Sequence, residues 1–152
     1  MNVYDKLKEL QIELPPHPPL GGIYKPVKQV GSLLFVSGQG PTKDGKPVIA
    51  GKVGGERTIE EGQEAARLCV LNCLSVLHHF LGDLNKVKSV VKLLGFVESA
   101  PGFNRQPEVI NGGSQLLCDI FGEDRGKGAR SALGTNELPG DITVEIEFIF
   151  EV

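Results

Sequence analysis

The sequence of 152 residues predicts an α+β fold in which a sheet carries two long helices on one face. Three observations carry that expectation. Two segments, 58–81 and 106–121, place apolar residues at three- and four-residue steps and run into glycines. Strand-like runs precede, separate and follow them. The last run, 142–152, alternates apolar and polar side chains almost strictly. The predicted order is β-β-α-β-α-β-β.

The elements follow in chain order. Val3, Leu7 and Leu10 share one face of a short helix. Pro15, Pro16, Pro18 and Pro19 then forbid helix and favour an extended strap. Residues 1–20 are therefore expected to be an extension lying across a main domain of residues 21–152. Runs 23–30 and 32–37 read as strands separated by Gly31, the second apolar enough to be buried on both sides. A glycine-rich loop follows, with Lys43-Asp44-Gly45-Lys46 as an exposed turn. Thr58 and Glu61 have capping-box spacing at the start of the first long helix, whose apolar face runs from Ala66 through Cys69, Val70, Cys73 and Leu77 to Leu81. Residues 87–98 form a long β-branched strand. In the second helix, Gly112-Gly113 is a weak point. A short strand is expected at 129–134, a turn at Pro139-Gly140-Asp141, and a closing strand from Ile142, with Thr143, Glu145 and Glu147 on its polar face. Glycine-rich loops and the strap cannot cover the sheet's other face, so self-association is expected.

Composition narrows the function classes. With 40% hydrophobic residues the chain can bury a single core, and no run of about 18 apolar residues suggests a membrane span. The first residues carry charges of both signs and no apolar signal core, so a cytoplasmic protein is expected. A net charge of −3 and a pI near 5.6, without a polybasic block, weigh against nucleic acid as the main partner. The three cysteines lack metal-ligand spacing and read as reduced, buried thiols.

Few side chains offer chemistry. Arg130 stands among small residues (Gly126, Gly128, Ala129, Ser131, Ala132, Gly134), where a ligand can approach closely, and its planar fork suits a carboxylate. The plainer alternative is an ion pair with Glu145 or Glu147. Glu145 could orient water or take a proton, or simply face solvent. Ser37-Gly38-Gln39-Gly40 ends a buried strand in a glycine turn whose N–H groups could face a ligand, and Tyr24 starts the strand after the Gly21-Gly22 hinge. With only His17, His78 and His79 present, no nucleophile has an evident base. His78 and His79 fit a helix C-terminus without a catalytic role.

Tyr24 in Gly-Gly-Ile-Tyr, Val36-Ser37-Gly38-Gln39, Asn111 in Val-Ile-Asn-Gly, Ala129-Arg130-Ser131 and Val144-Glu145-Ile146-Glu147 occur in an order that resembles the RidA/YjgF family, also called L-PSP endoribonuclease-like. The resemblance covers residues 21–152, and the proline-rich start is similar to that of a longer-chain branch. It implies a chorismate-mutase-like fold assembled as a homotrimer with ligand clefts between subunits. It further implies hydrolysis of reactive enamines and imines, such as 2-aminoacrylate, to 2-keto acids and ammonia, without metal or organic cofactor. By motif match Arg130 would clamp the substrate carboxylate and Glu145 would position water, while Tyr24, Ser37, Gly38, Asn111 and the backbone at Ala132 would line the cleft. Ala132 stands where many members carry cysteine, and Lys127-Gly128 stands where proline often precedes the alanine. The alternatives are a small-carboxylate binder without turnover and, disfavoured by the acidic pI, the ribonuclease of the older label.

Overall fold

The computed structural model describes residues 1–152. Asn2 caps the first helix, α1 (Val3–Glu9), by accepting from the Tyr4 and Asp5 N–H groups. Val3 and Leu7 are buried in the main core of 29 residues, so this segment contributes packing as well as crossing the surface. The strap after it has no regular structure. The Ser75 hydroxyl donates to Pro15 O at 2.7 Å, and the rings of His17 and His79 meet with centroids 4.2 Å apart.

The first strand is shorter than predicted. Residues 22–26 bend, and β1 spans only Val27–Val30. Pro26 has no N–H for a ladder, and the Tyr24 hydroxyl accepts from the Gly21 N–H, closing a tight turn. β2 (Leu33–Gln39) pairs with it antiparallel. Burial on both sides of β2 is not what a single chain shows: Leu34 and Val36 are buried, but Phe35 is 42% exposed. The glycine-rich loop contains a hairpin not foreseen, β3 (Thr42–Lys43) and β4 (Lys46–Pro47). Asp44 and Gly45, with φ of 53° and 77°, form its predicted turn.

Helix α2 (Ile59–Leu81) starts at the predicted capping box, with reciprocal 3.1 Å bonds between Thr58 and Glu61, and ends at left-handed Gly82. A 3₁₀ turn (Leu84–Lys86) leads to β5 (Ser89–Glu98). Helix α3 (Gln106–Phe121) is continuous through Gly112-Gly113. A Cβ on Gly112 would collide with the Gln63 backbone, so this glycine pair permits close α2–α3 packing and does not break the helix. The four-residue α4 (Glu123–Gly126), also unforeseen, precedes β6 (Ala129–Thr135). The closing strand β7 (Val144–Glu151) begins two residues later than predicted. Thr143, expected on a polar face, is fully buried, with its hydroxyl donating to Gly51 O.

The five-stranded sheet has the order β1-β2-β7-β5-β6, with only β5 and β6 parallel. Both long helices cover one face: Ile110 of α3 lies over Gly95 of β5, and Val70 of α2 and Ile146 of β7 meet at Gly113. The opposite face has no covering layer, and Val30, Phe35 and Leu133 stand exposed. No helix is long and apolar enough to cross a membrane.

Candidate functional site

Arg130 sits on the edge strand β6 with its side chain on the helix-covered face. Its register partner on β5 is Leu93, and Leu93 pairs in turn with Phe148 of β7. Residues directly opposite across strands share a face, and Leu93 and Phe148 are both buried beneath the helices. From there the guanidinium Nη1 donates to Asn111 Oδ1 at 2.7 Å and to Ser114 Oγ at 3.2 Å, both on α3. No carboxylate pairs with it, so the ion pair considered with Glu145 or Glu147 is not formed. A cavity of about 690 Å³ lies in front of it, bordered by Gln63, Arg67, Asn111, Ser114, Lys127 and Arg130. Lys127 forms an ion pair with Glu123 and Arg67 one with Glu64, which leaves Arg130 as the cation facing this space without a carboxylate partner. Gly128, whose Cβ would press on the Val90 and Val91 backbone, brings the edge strand against β5 beside it. Ala132 lies on the same face and packs against the core.

Glu145 lies on the other face. It pairs with Phe96, which pairs with the half-exposed Leu133. Its carboxylate reaches Gly38: a Cβ built there would stand 2.5 Å from Glu145 Oε2. Only glycine therefore leaves room for Glu145 in this position. Burial, and then the nearby Glu147, push the Glu145 carboxyl above its ordinary value. Ser37, next along β2, donates from its hydroxyl to Lys25 O at 2.7 Å. Tyr24 borders a second cavity, of about 400 Å³, together with Gly38.

The predicted residues thus form two half-sites. Arg130, Asn111 and Ala132 belong to one; Glu145, Gly38, Ser37 and Tyr24 belong to the other. The sheet separates them, and one chain does not bring Arg130 and Glu145 together. Ser114 was not anticipated, though its place three residues after Asn111 on one helix face is a usable signal.

Glu98 is a further functional-looking group that the sequence does not announce. It is fully buried at the end of β5; one oxygen accepts from the Leu138 N–H at 3.0 Å, and the other has no partner. Its carboxylate, Glu137 and Asp141 lie within 4.8 Å of one another, near enough to share a cation. Lys52, 3.8 Å from Glu137, already offsets part of that charge. Burial, followed by contact with Asp141, raises the Glu98 carboxyl to about 7. The thiols of Cys69 and Cys73 are fully buried, and burial holds both far up in the protonated form, as expected of inert cysteines.

The family profile described as "YjgF/chorismate mutase-like, putative endoribonuclease" matches residues 5–146. Protein TCP17 of Trypanosoma cruzi is 41% identical over 146 residues, 96% of this chain and 91% of TCP17. The crystal structure of Atu1372 from Agrobacterium tumefaciens, a protein of unknown function, is 42% identical and overlays with a TM-score of 0.89, covering 99% of this chain and 93% of that one. A Shewanella oneidensis protein with the same endoribonuclease description is 29% identical, with a TM-score of 0.94 and full coverage of both chains. At lower identity the fold alone is shared with E. coli TdcF, solved with bound serine, and with RidA from Psychrobacter, at TM-scores of 0.62 and 0.61 over 90% of the chain. The mixed sheet and the helices on one face agree with these matches, and the chain belongs to the YjgF/chorismate-mutase-like family.

Proposed function

We propose that the protein hydrolyses 2-imino acids, formed from enamines such as 2-aminoacrylate, to 2-keto acids and ammonia. The observation that carries this reading is Arg130: a guanidinium without a carboxylate partner, held by two neutral acceptors at the edge of a polar cavity. Asn111 and Ser114 fix its plane without neutralising it, so its outward N–H groups remain available for a substrate carboxylate.

The chemistry requires little else. An imine carbon is already electrophilic. Water adds to it, the carbinolamine forms, and the C–N bond breaks to release ammonia and leave the keto acid. Glu145 takes a proton from the attacking water and returns it to the departing nitrogen. A carboxyl raised above its ordinary value suits both directions of that transfer.

Because Arg130 and Glu145 face opposite sides of one sheet, the reading includes assembly. A second copy covers the open face around Phe35 and Leu133 and brings its Arg130 to the first copy's Glu145, in a homotrimer with clefts between subunits. An assay that generates 2-aminoacrylate from serine tests the activity. Wild type should accelerate ammonia release, and Arg130→Ala should reduce the acceleration at least a hundredfold. No acceleration, or equal rates in both proteins, would contradict it.

One observation favours a second reading, a carboxylate binder without turnover: the side chain of Ala132 packs into the core and adds no reactive group beside Arg130. Calorimetry with 2-ketobutyrate separates the two readings. Binding that survives Glu145→Ala, with no turnover by wild type, would favour the binder.

A further inference from the structure

We propose that Glu98, Glu137 and Asp141 form a binding site for a hard divalent cation, and that calcium is its ion. The site stands on its own geometry and does not depend on the deaminase reading.

Two separate observations point to an ion. The first is convergence. Glu98 closes β5, Glu137 lies in the loop after β6, and Asp141 ends the 3₁₀ turn Pro139–Asp141. One carboxylate oxygen from each nevertheless lies within 4.8 Å of the other two. The only cation paired with any of them is Lys52, at 3.8 Å from Glu137, beyond hydrogen-bond length. The second observation is Glu98 itself, which is fully buried. The Leu138 N–H holds its Oε1 at 3.0 Å, whereas its Oε2 is the one buried side-chain oxygen or nitrogen in the molecule without a partner. A carboxylate oxygen shut away from water costs stability unless a donor or a positive charge meets it. The acids beside it, Asp141 and Glu137, supply neither when ionised, and one cation answers all three.

The ligand set selects the ion. Its members are all carboxylates, with no histidine or cysteine among them, which suits a hard cation. Oxygens on opposite sides of a calcium ion stand about 5 Å apart, against about 4 Å around magnesium. Oxygens within 4.8 Å of one another therefore meet calcium's reach as they stand. Calcium also accepts an irregular, partly hydrated set, whereas magnesium demands a near-ideal octahedron. The mouth is open to water, since Asp141 is exposed and the Glu137 side chain is 77% exposed. The floor is fixed by backbone bonds: the Glu98 N–H donates to Thr143 O at 2.9 Å, the Asp141 N–H to Leu138 O at 2.9 Å, and the Gly51 N–H to Asp141 O at 2.8 Å. An ion held here ties the turn that enters β7 to the end of β5, and water completes its coordination. Three carboxylates at an open mouth place the affinity in the range of about 0.1–1 mM.

Calorimetric titration of the full-length protein with calcium chloride, after removal of metal by a chelator and at about pH 8, tests the site. Wild type should bind one ion per chain with a Kd of about 1 mM or lower, and magnesium at least tenfold more weakly. Calcium at ten times its Kd should raise the Tm by about 3–6 °C. Two variants locate the ion. Asp141→Asn alters an exposed residue whose φ of 61° asparagine also adopts, so the fold is kept. Glu98→Gln keeps an acceptor for the Leu138 N–H and removes the buried charge. Each should weaken calcium binding at least tenfold and abolish the Tm shift. Absence of binding by wild type, magnesium bound as tightly as calcium, or calcium binding unchanged in Asp141→Asn would overturn the site. None of these results bears on the deaminase reading.

Discussion

Glu98 is the side chain whose surroundings most oppose its charge. It is wholly buried, with Asp141 and Glu137 at close range, Lys52 beyond Glu137, and a single N–H donor from Leu138. Burial first, then Asp141, lifts its carboxyl from 4.5 to about 7. The folded state therefore holds this proton more tightly than the unfolded chain does. Its contribution to stability is complete below about pH 4.5 and is lost as the pH rises through about 7. Thermal melts from pH 5 to 8.5 should show wild type losing Tm relative to Glu98→Gln as the pH rises, whereas parallel curves would contradict the raised Glu98 carboxyl. Nothing in the sequence marks Glu98, because its character comes from Leu138 and Asp141, some 40 residues away. Arg130, Asn111 and Glu145 stand out as candidates by type, spacing and resemblance. Their distribution over two faces does not, since it depends on which residue of β5 stands opposite which residue of β6 and β7. A shift of one residue in either register would reverse it.

Elements were legible where a local rule decides them. Capping and periodicity set both ends of α2, and alternation gave the core face of β7. The misses have physical reasons. Residues 23–26 carry strand-like side chains, but Pro26 and the Gly21–Tyr24 turn bend them away. Helix α4, at four residues, is shorter than any periodic signal. Gly112-Gly113 reads locally as a weak point, whereas in the packed molecule it lets α2 and α3 approach. Gly112→Ala would favour the isolated helix but must displace the Gln63 backbone. We expect this substitution to destabilise the protein by about 1–3 kcal/mol, since overpacking outweighs helix propensity here. Urea unfolding measures it, and a neutral or stabilised variant would show that the helices can part without cost.

At the scale of the whole molecule, the fold leaves two things unfinished within one chain. The sheet has a helical layer on one face only, and Phe35, Val30 and Leu133 stand uncovered on the other. The chemistry is divided in the same way, with Arg130 on the helix face and Glu145 on the open one. A single association would complete both, and for that reason the proposed assembly and the proposed activity stand together. Sedimentation should find a species near three times 16.3 kDa. The most direct test is subunit complementation. Arg130→Ala and Glu145→Gln should each be inactive alone. When the two are unfolded together at equal amounts and refolded, each mixed trimer regains one intact cleft of its three, which restores about a quarter of wild-type activity for random mixing. Persistent inactivity of the mixture, from variants that each refold to the same size as wild type, would contradict a site built from two chains.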